Sequence, residues 1–162
     1  MELSTCGVLG TADRPRASTL RNMRQEYIDA VRRIVAMVPP GTAVAYSDIS
    51  DLLGQGGPRQ IGAIMARHSD GLCWWRVLRA SGEAPSGHEV DAFRKYQEEG
   101  TPLRGQVEDF ARTGEGRWRV DFPAARWAPR EEEFLVMDAL AEALRAAGPE
   151  GAVVGGKNVG AP

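Results

Sequence analysis

Between Asn22 and Val38 the apolar side chains Tyr27, Val31, Ile34, Val35 and Val38 recur at i, i+4, i+7, i+8 and i+11. That spacing is one face of an α-helix, and Pro39-Pro40-Gly41 stops it. Thr42–Tyr46 reads as a short extended piece. Ser47 and Asp48 then supply an N-cap and a first-turn acid for a helix with the stripe Ile49, Leu52 and Leu53, closed by Gly54. Gln55-Gly56-Gly57 is a turn, and Pro58 suits the first position of a third helix with Ile61, Ile64 and Met65 inward. Two short helices joined by a Gly-rich turn, after a longer one, make a helix-turn-helix candidate.

Beyond it, the apolar run Leu72–Leu78 predicts a buried strand over Arg76–Ala80. Ser86 caps a helix carrying Val90, Phe93 and Tyr96 to Glu99, closed by Gly100. Residues 101–116 read as polar turns, and Arg117–Phe122 alternates Trp118, Val120 and Phe122 with Arg119 and Asp121, as a half-exposed strand does. Pro129 with Glu131, Glu132 and Glu133 opens a last helix on Phe134, Met137, Leu140, Ala141 and Leu144. The expected fold is α+β and mainly helical, with a helix-turn-helix and a few short strands. Residues 1–20 read as a flexible N-terminal segment and 148–162 as a flexible Gly/Ala-rich tail.

Composition narrows the class. With 162 residues, 43% hydrophobic and 26% charged, the chain can bury a core without disulfides. No apolar run approaches the roughly 18 to 20 residues of a bilayer span, and no secretory signal is visible, so a cytoplasmic protein without membrane contact is expected. Cys6 and Cys73 read as unpaired thiols, and with only His68 and His88 there is no Cys/His cluster for a metal; no cofactor is expected.

The net charge is −2, but residues 129–162 hold 3 basic and 6 acidic residues of the chain's 20 and 22, leaving 17 against 16 in residues 1–128. A protein held on nucleic acid by charge alone is strongly basic. Any DNA contact here must therefore be a local patch in which shape or base contacts carry more of the free energy. Arg59 and Gln60 lie in the first turn of the third helix, the end that meets base edges when such a helix enters a groove. Gly62 and Ala63 follow on its outer face. Small residues permit close approach to the DNA backbone, whereas a sequence reader projects long polar side chains, so the pattern favours a shape or lesion reader.

VPPGTAVAYSDISDLLG, then GPRQIGAIM, then CWWRVLRASG, in this order and at this separation, resemble the DNA-binding domain of the O6-alkylguanine-DNA alkyltransferases over roughly Met23–Trp127. Those enzymes carry Pro-Cys-His-Arg-Val, and the matching residues here are Cys73, Trp74, Trp75, Arg76 and Val77. An indole therefore stands at the nucleophile position, as in the alkyltransferase-like branch of the family, which binds alkylated DNA without transferring the alkyl group. Chemistry agrees: dealkylation requires a thiolate generated by a neighbouring base, and an indole nitrogen has no available lone pair. Trp75 replaces the relay histidine and departs from both branches, and Glu99 resembles the relay glutamate, read here as a structural or helix-terminal charge. If the segment is extended, Cys73 points away from Trp74, and a buried small hydrophobe is its default role.

The resemblance implies a winged-helix-like DNA-binding domain over residues 21–127, followed by an additional helix over 128–147 that is either a partner-docking element or a solvent-facing cap. It assigns DNA binding to Tyr46, Arg59, Gln60, Gly62 and Ala63, with Tyr46 rotating the phosphate of a flipped nucleotide and Arg59 filling the hole in the duplex. A lesion pocket of Tyr46, Met65, Trp74, Trp75 and Val77, with the loop Gly82–His88 beside it, is implied too. His88 itself reads as a surface residue at a helix start. The implied function is a non-enzymatic sensor, a monomer that binds O6-alkylguanine in duplex DNA from the minor groove, associates with the bacterial nucleoid when bound, and flags the lesion to nucleotide excision repair proteins. Two other classes stay open: an alkyltransferase using Cys73, and a sequence-specific helix-turn-helix regulator.

Overall fold

The computed structural model describes residues 17–148; the expected tails over 1–16 and 149–162, and Cys6, lie outside them. The first helix, α1, runs Ala17–Met37 and so begins inside the segment expected to be a flexible lead-in. Once the packed turns from Tyr27 onward exist, each preceding residue adds to a formed helix without repeating the nucleation step. Its inward stripe, Tyr27, Val31, Ile34, Val35 and Val38, is buried as the periodicity predicts.

The chain then enters β1, Val44–Ala45, and passes directly into α2, Tyr46–Leu53. The cap of α2 is Ala45 rather than Ser47. Pairing of Ala45 with Leu78 of β2 (Val77–Leu78) holds Ala45 extended and ends the strand there. The Asp48 carboxylate reaches back to accept the Ala45 N–H at 3.2 Å, and Arg126 Nη2 donates to its other oxygen at 2.7 Å. Gly54 closes α2 in the left-handed conformation, φ 65°. The turn to α3, Pro58–His68, is pinned from below: the Tyr27 hydroxyl donates to the Gln55 carbonyl at 3.0 Å. Gly56 sits there at φ 73°, and a Cβ on it would collide with that hydroxyl. Ile61, Ile64 and Met65 face inward as expected.

Residues Trp74–Arg76 form a 3-10 turn, and only Val77–Leu78 of the predicted Arg76–Ala80 strand is extended, with Arg79 and Ala80 exposed. An apolar run does not distinguish a strand from a tight turn whose side chains pack on several elements. The next helix, α4, covers Glu89–Glu99 and is entered through His88 rather than capped by Ser86, because Gly87 turns the chain at φ 84°. Val90 is exposed, while Phe93 and Tyr96 face the core.

Residues 101–116 hold more structure than polar turns: β3 (Leu103–Gly105) and α5 (Val107–Thr113) lie there. Each has one or two apolar anchors and depends on partners distant in the sequence. The β3 strand pairs antiparallel with β4, Trp118–Val120, and Phe110 of α5 meets Phe93 and Trp118 at ring-centroid distances of 4.8 and 5.4 Å. Phe122 is buried but opens a short helix, α6 (Phe122–Ala125), in place of a longer strand.

The last helix, α7 (Glu131–Ala147), packs on α1 and α2 and buries Met137 and Leu144 in their core; Phe134, expected inward, is exposed. The architecture is thus mainly helical α+β with two small sheets: β1–β2 contributes to both the helical core and a second cluster with α4 and α6, and β3–β4 belongs to that second cluster. Among the described residues no helix is long and apolar enough to cross a membrane.

Candidate nucleic-acid interface

The parallel pairing Val44 with Val77 and Ala45 with Leu78 decides what the site contains. Tyr46 follows β1 immediately and the tryptophan turn immediately precedes β2, so two short strands bring together segments some thirty residues apart. Between them and α3 lies a cavity of about 490 Å³, lined by Tyr46, Gly62, Met65 and Trp74 and rimmed by Ser69, Ser86, His88 and Asp91. Tyr46 sits deep enough that burial pushes its hydroxyl above the ordinary value, an effect the Arg79 charge partly offsets.

Trp74 and Trp75 diverge. In a 3-10 turn successive side chains lie about 120° apart. Trp74 faces the cavity with the His88 ring 5.3 Å away, whereas the Trp75 plane stands at 86° to it. Trp75 Nε1 donates to Glu99 Oε1 at 3.0 Å. Trp75 and Val77, both expected in the pocket, do not line it: the first is directed to Glu99, and the second is buried in the strand pairing. Cys73 is half-buried and also absent from the lining.

Glu99 is more than a helix-terminal charge. Arg76 binds it through Nε and Nη2, the latter at 2.6 Å, and donates through Nη1 to the Val38 carbonyl at 2.6 Å. The Gly41 N–H donates to the same carboxylate at 3.1 Å. Burial alone would raise the Glu99 pKa, but the bonds from Arg76, Gly41 and Trp75 outweigh it and hold the carboxyl below its ordinary range. A carboxylate so occupied has little capacity left to serve as a proton relay.

On the exposed face of α3, Arg59 and Gln60 stand in the first turn and Ala63 one turn further, all open to solvent and outside the cavity. Gly62 borders the cavity, and a Cβ there would meet nothing within 4 Å. A mid-helix glycine costs roughly 0.5 to 1 kcal/mol relative to alanine, and nothing within this chain requires it. The rim residues Ser69, His88 and Asp91 escaped sequence reasoning, since they come from a helix end and a helix start that only the fold brings together; the short loop ending at His88 was the one available signal. Among the described residues there is no cluster of His, Cys, Asp and Glu that could hold a metal ion.

Residues 26–99 match the family described as 6-O-methylguanine DNA methyltransferase, DNA binding domain. This segment contains the helix-turn-helix, the tryptophan turn and Glu99. Two solved structures share the fold: S. pombe Atl1 in complex with damaged DNA containing O6-carboxymethylguanine, at 23% identity, and S. pombe ATL in complex with DNA, at 24%. Each match has a TM-score of 0.53 and covers 65% of this chain and 97% of the other. No curated protein matches. In motif pattern and in fold the chain is similar to the alkyltransferase-like proteins.

Because the folded state holds Glu99 below its ordinary pKa, the carboxylate's contribution to stability is complete above about 4.5 and is lost as pH falls through the lower folded value. Glu99→Gln should lower stability near neutral pH by roughly 3 kcal/mol, as breaking a largely buried pair does. Urea unfolding of both proteins should show that gap narrowing below about pH 4.5.

Proposed function

We propose that the protein is a sensor of O6-alkylguanine in duplex DNA, acting as a monomer from the minor groove and transferring no alkyl group. The observation that carries this reading is the Trp74 indole in the cavity beside Tyr46, with Cys73, the one thiol among the described residues, off the lining. Transfer would form a bond from sulfur to the alkyl carbon as the carbon–O6 bond breaks, which requires a thiolate in line with that carbon. An apolar indole offers instead a surface against which an alkyl group can be desolvated.

Tyr46 and Arg59 divide the remaining work. Extruding a base costs a few kcal/mol, less for a damaged pair. Arg59, exposed in the first turn of α3, fills the gap with a planar cation, and Tyr46 turns the phosphate of the extruded nucleotide. Gln60 and Ala63 lie along the duplex, and the absence of a side chain at Gly62 admits the backbone to the cavity mouth. The distorted complex is then available to nucleotide excision repair proteins. The solved structure of S. pombe Atl1 with damaged DNA supports this reading by likeness of fold.

Matched duplexes with guanine or O6-methylguanine test the reading directly. Preferential binding of the modified duplex, with no added mass on the intact protein afterwards, is expected; equal affinities remove the lesion reading, and one added alkyl group at Cys73 restores an enzyme. Arg59→Ala should weaken binding of the modified duplex by about 1 to 3 kcal/mol in a titration, and unchanged affinity removes the gap-filling role. Gly62→Ala should move two measurements in opposite directions: thermal unfolding shifts upward, reflecting about 0.5 to 1 kcal/mol of added helix stability, while affinity for modified DNA falls.

A further inference from the structure

The β3–β4 hairpin carries a second feature that the lesion cavity does not use. Leu103 and Val120 turn to the core, which leaves Arg104 and Arg119 on the opposite, solvent face, and these two are direct cross-strand partners. Like charges directly opposite each other destabilise an antiparallel pair. Arg117, two residues before Arg119, is also exposed and extends the face. None of the three guanidinium groups forms an ion pair among the described residues. The arginines line a groove of about 510 Å³ together with Arg79, Glu83 and Glu89.

The two carboxylates do not neutralise this face. Glu83 lies at 4.0 Å from Arg79, both well exposed, and Glu89 Oε1 accepts the Gly87 N–H at 3.0 Å in its own turn. A chain with a net charge of −2 therefore concentrates uncompensated arginine on one hairpin. The groove adjoins the lesion cavity, with Ser86 bordering both.

Resting on the proposed lesion reading, we infer that the outer face of the β3–β4 hairpin is a second DNA track, in which Arg104, Arg117 and Arg119 hold backbone phosphates of the duplex beyond the flipped nucleotide. Arginine suits phosphate through its planar fork, and a phosphate between Arg104 and Arg119 relieves their repulsion. Contacts of this kind fix position on the duplex without reading sequence or damage. The shared border at Ser86 favours DNA over an acidic protein partner, because it sets the arginine face beside the cavity that takes the flipped nucleotide.

The test is fluorescence anisotropy with a labelled duplex, modified and unmodified, titrated from about 50 to 200 mM salt, where each phosphate contact contributes about 0.9 to the slope of log affinity against log salt. Arg104→Gln, Arg117→Gln and Arg119→Gln should each reduce the slope by about 0.9, and the combined variant by about 2 to 3, weakening both duplexes equally. Thermal stability should stay level or rise as the cross-strand repulsion is removed. Arg33→Gln, on α1 and outside both cavities, should leave the slope unchanged. A wild-type slope in all three single variants overturns the proposal, including the outcome in which the groove captures an acidic polypeptide instead. A loss confined to the modified duplex overturns it as well. Equal wild-type affinity for the two duplexes would remove the lesion reading while leaving the slope comparison valid.

Discussion

The carboxylate of Glu99 joins the end of α4 to two stretches remote from it in sequence, the end of α1 with the loop after it and the tryptophan turn. Through Arg76 it reaches the Val38 carbonyl at the end of α1, through Gly41 the loop into β1, and through Trp75 the tight turn that carries Trp74. Both partners of the ion pair are almost wholly enclosed, with side-chain exposures of 11% and 12%. Enclosing two charges consumes much of their attraction, so the pair is weak evidence of net stabilisation. What it supplies is direction. With Arg76 and Trp75 both bound to one acceptor, the turn has a single orientation, and Trp74 faces the cavity as a result.

That constraint also explains how far sequence pattern carried. The three helices of the first half follow from periodicity, from Pro58 at a helix start and from Gly54 and Gly56 at turns, because each signal is local. The inward faces of α1 and α3 were legible for the same reason. The tryptophan turn was not: Cys-Trp-Trp-Arg-Val is as apolar as a buried strand, and only partners more than twenty residues away bend it. Extended geometry would have placed Trp74 and Trp75 on opposite faces, and the 3-10 turn separates them too, by a different rotation. The resemblance places both indoles in one pocket, and what draws Trp75 out of it is Glu99, a partner no local pattern reveals. Likewise β3 and α5 carry too few apolar residues to show a period, and they exist because Phe110 and Trp118 close an aromatic cluster over Phe93.

The candidate site divides in the same way. Tyr46, Met65 and Trp74, expected in the pocket, border one cavity together with Gly62, which was expected on the DNA-binding face with Arg59, Gln60 and Ala63; those three stand on the adjoining exposed helix face. Val77 and Trp75 belong to the scaffold beneath it. The helix beyond the matched segment completes the core of α1 and α2, so its acidic face is carried by an element whose apolar side has a structural task.

The bond from Trp75 to Glu99 bears on what one mutation at position 74 could achieve. A tryptophan codon becomes a cysteine codon by changing one base, so a thiol at position 74 is genetically close. Turning the neighbouring tryptophan into histidine requires all three bases to change, and until that happens the indole keeps hold of the carboxylate. Chance mutation at the first position would therefore leave a sulfur beside an indole that stays on Glu99, with no histidine next to it to ionise it.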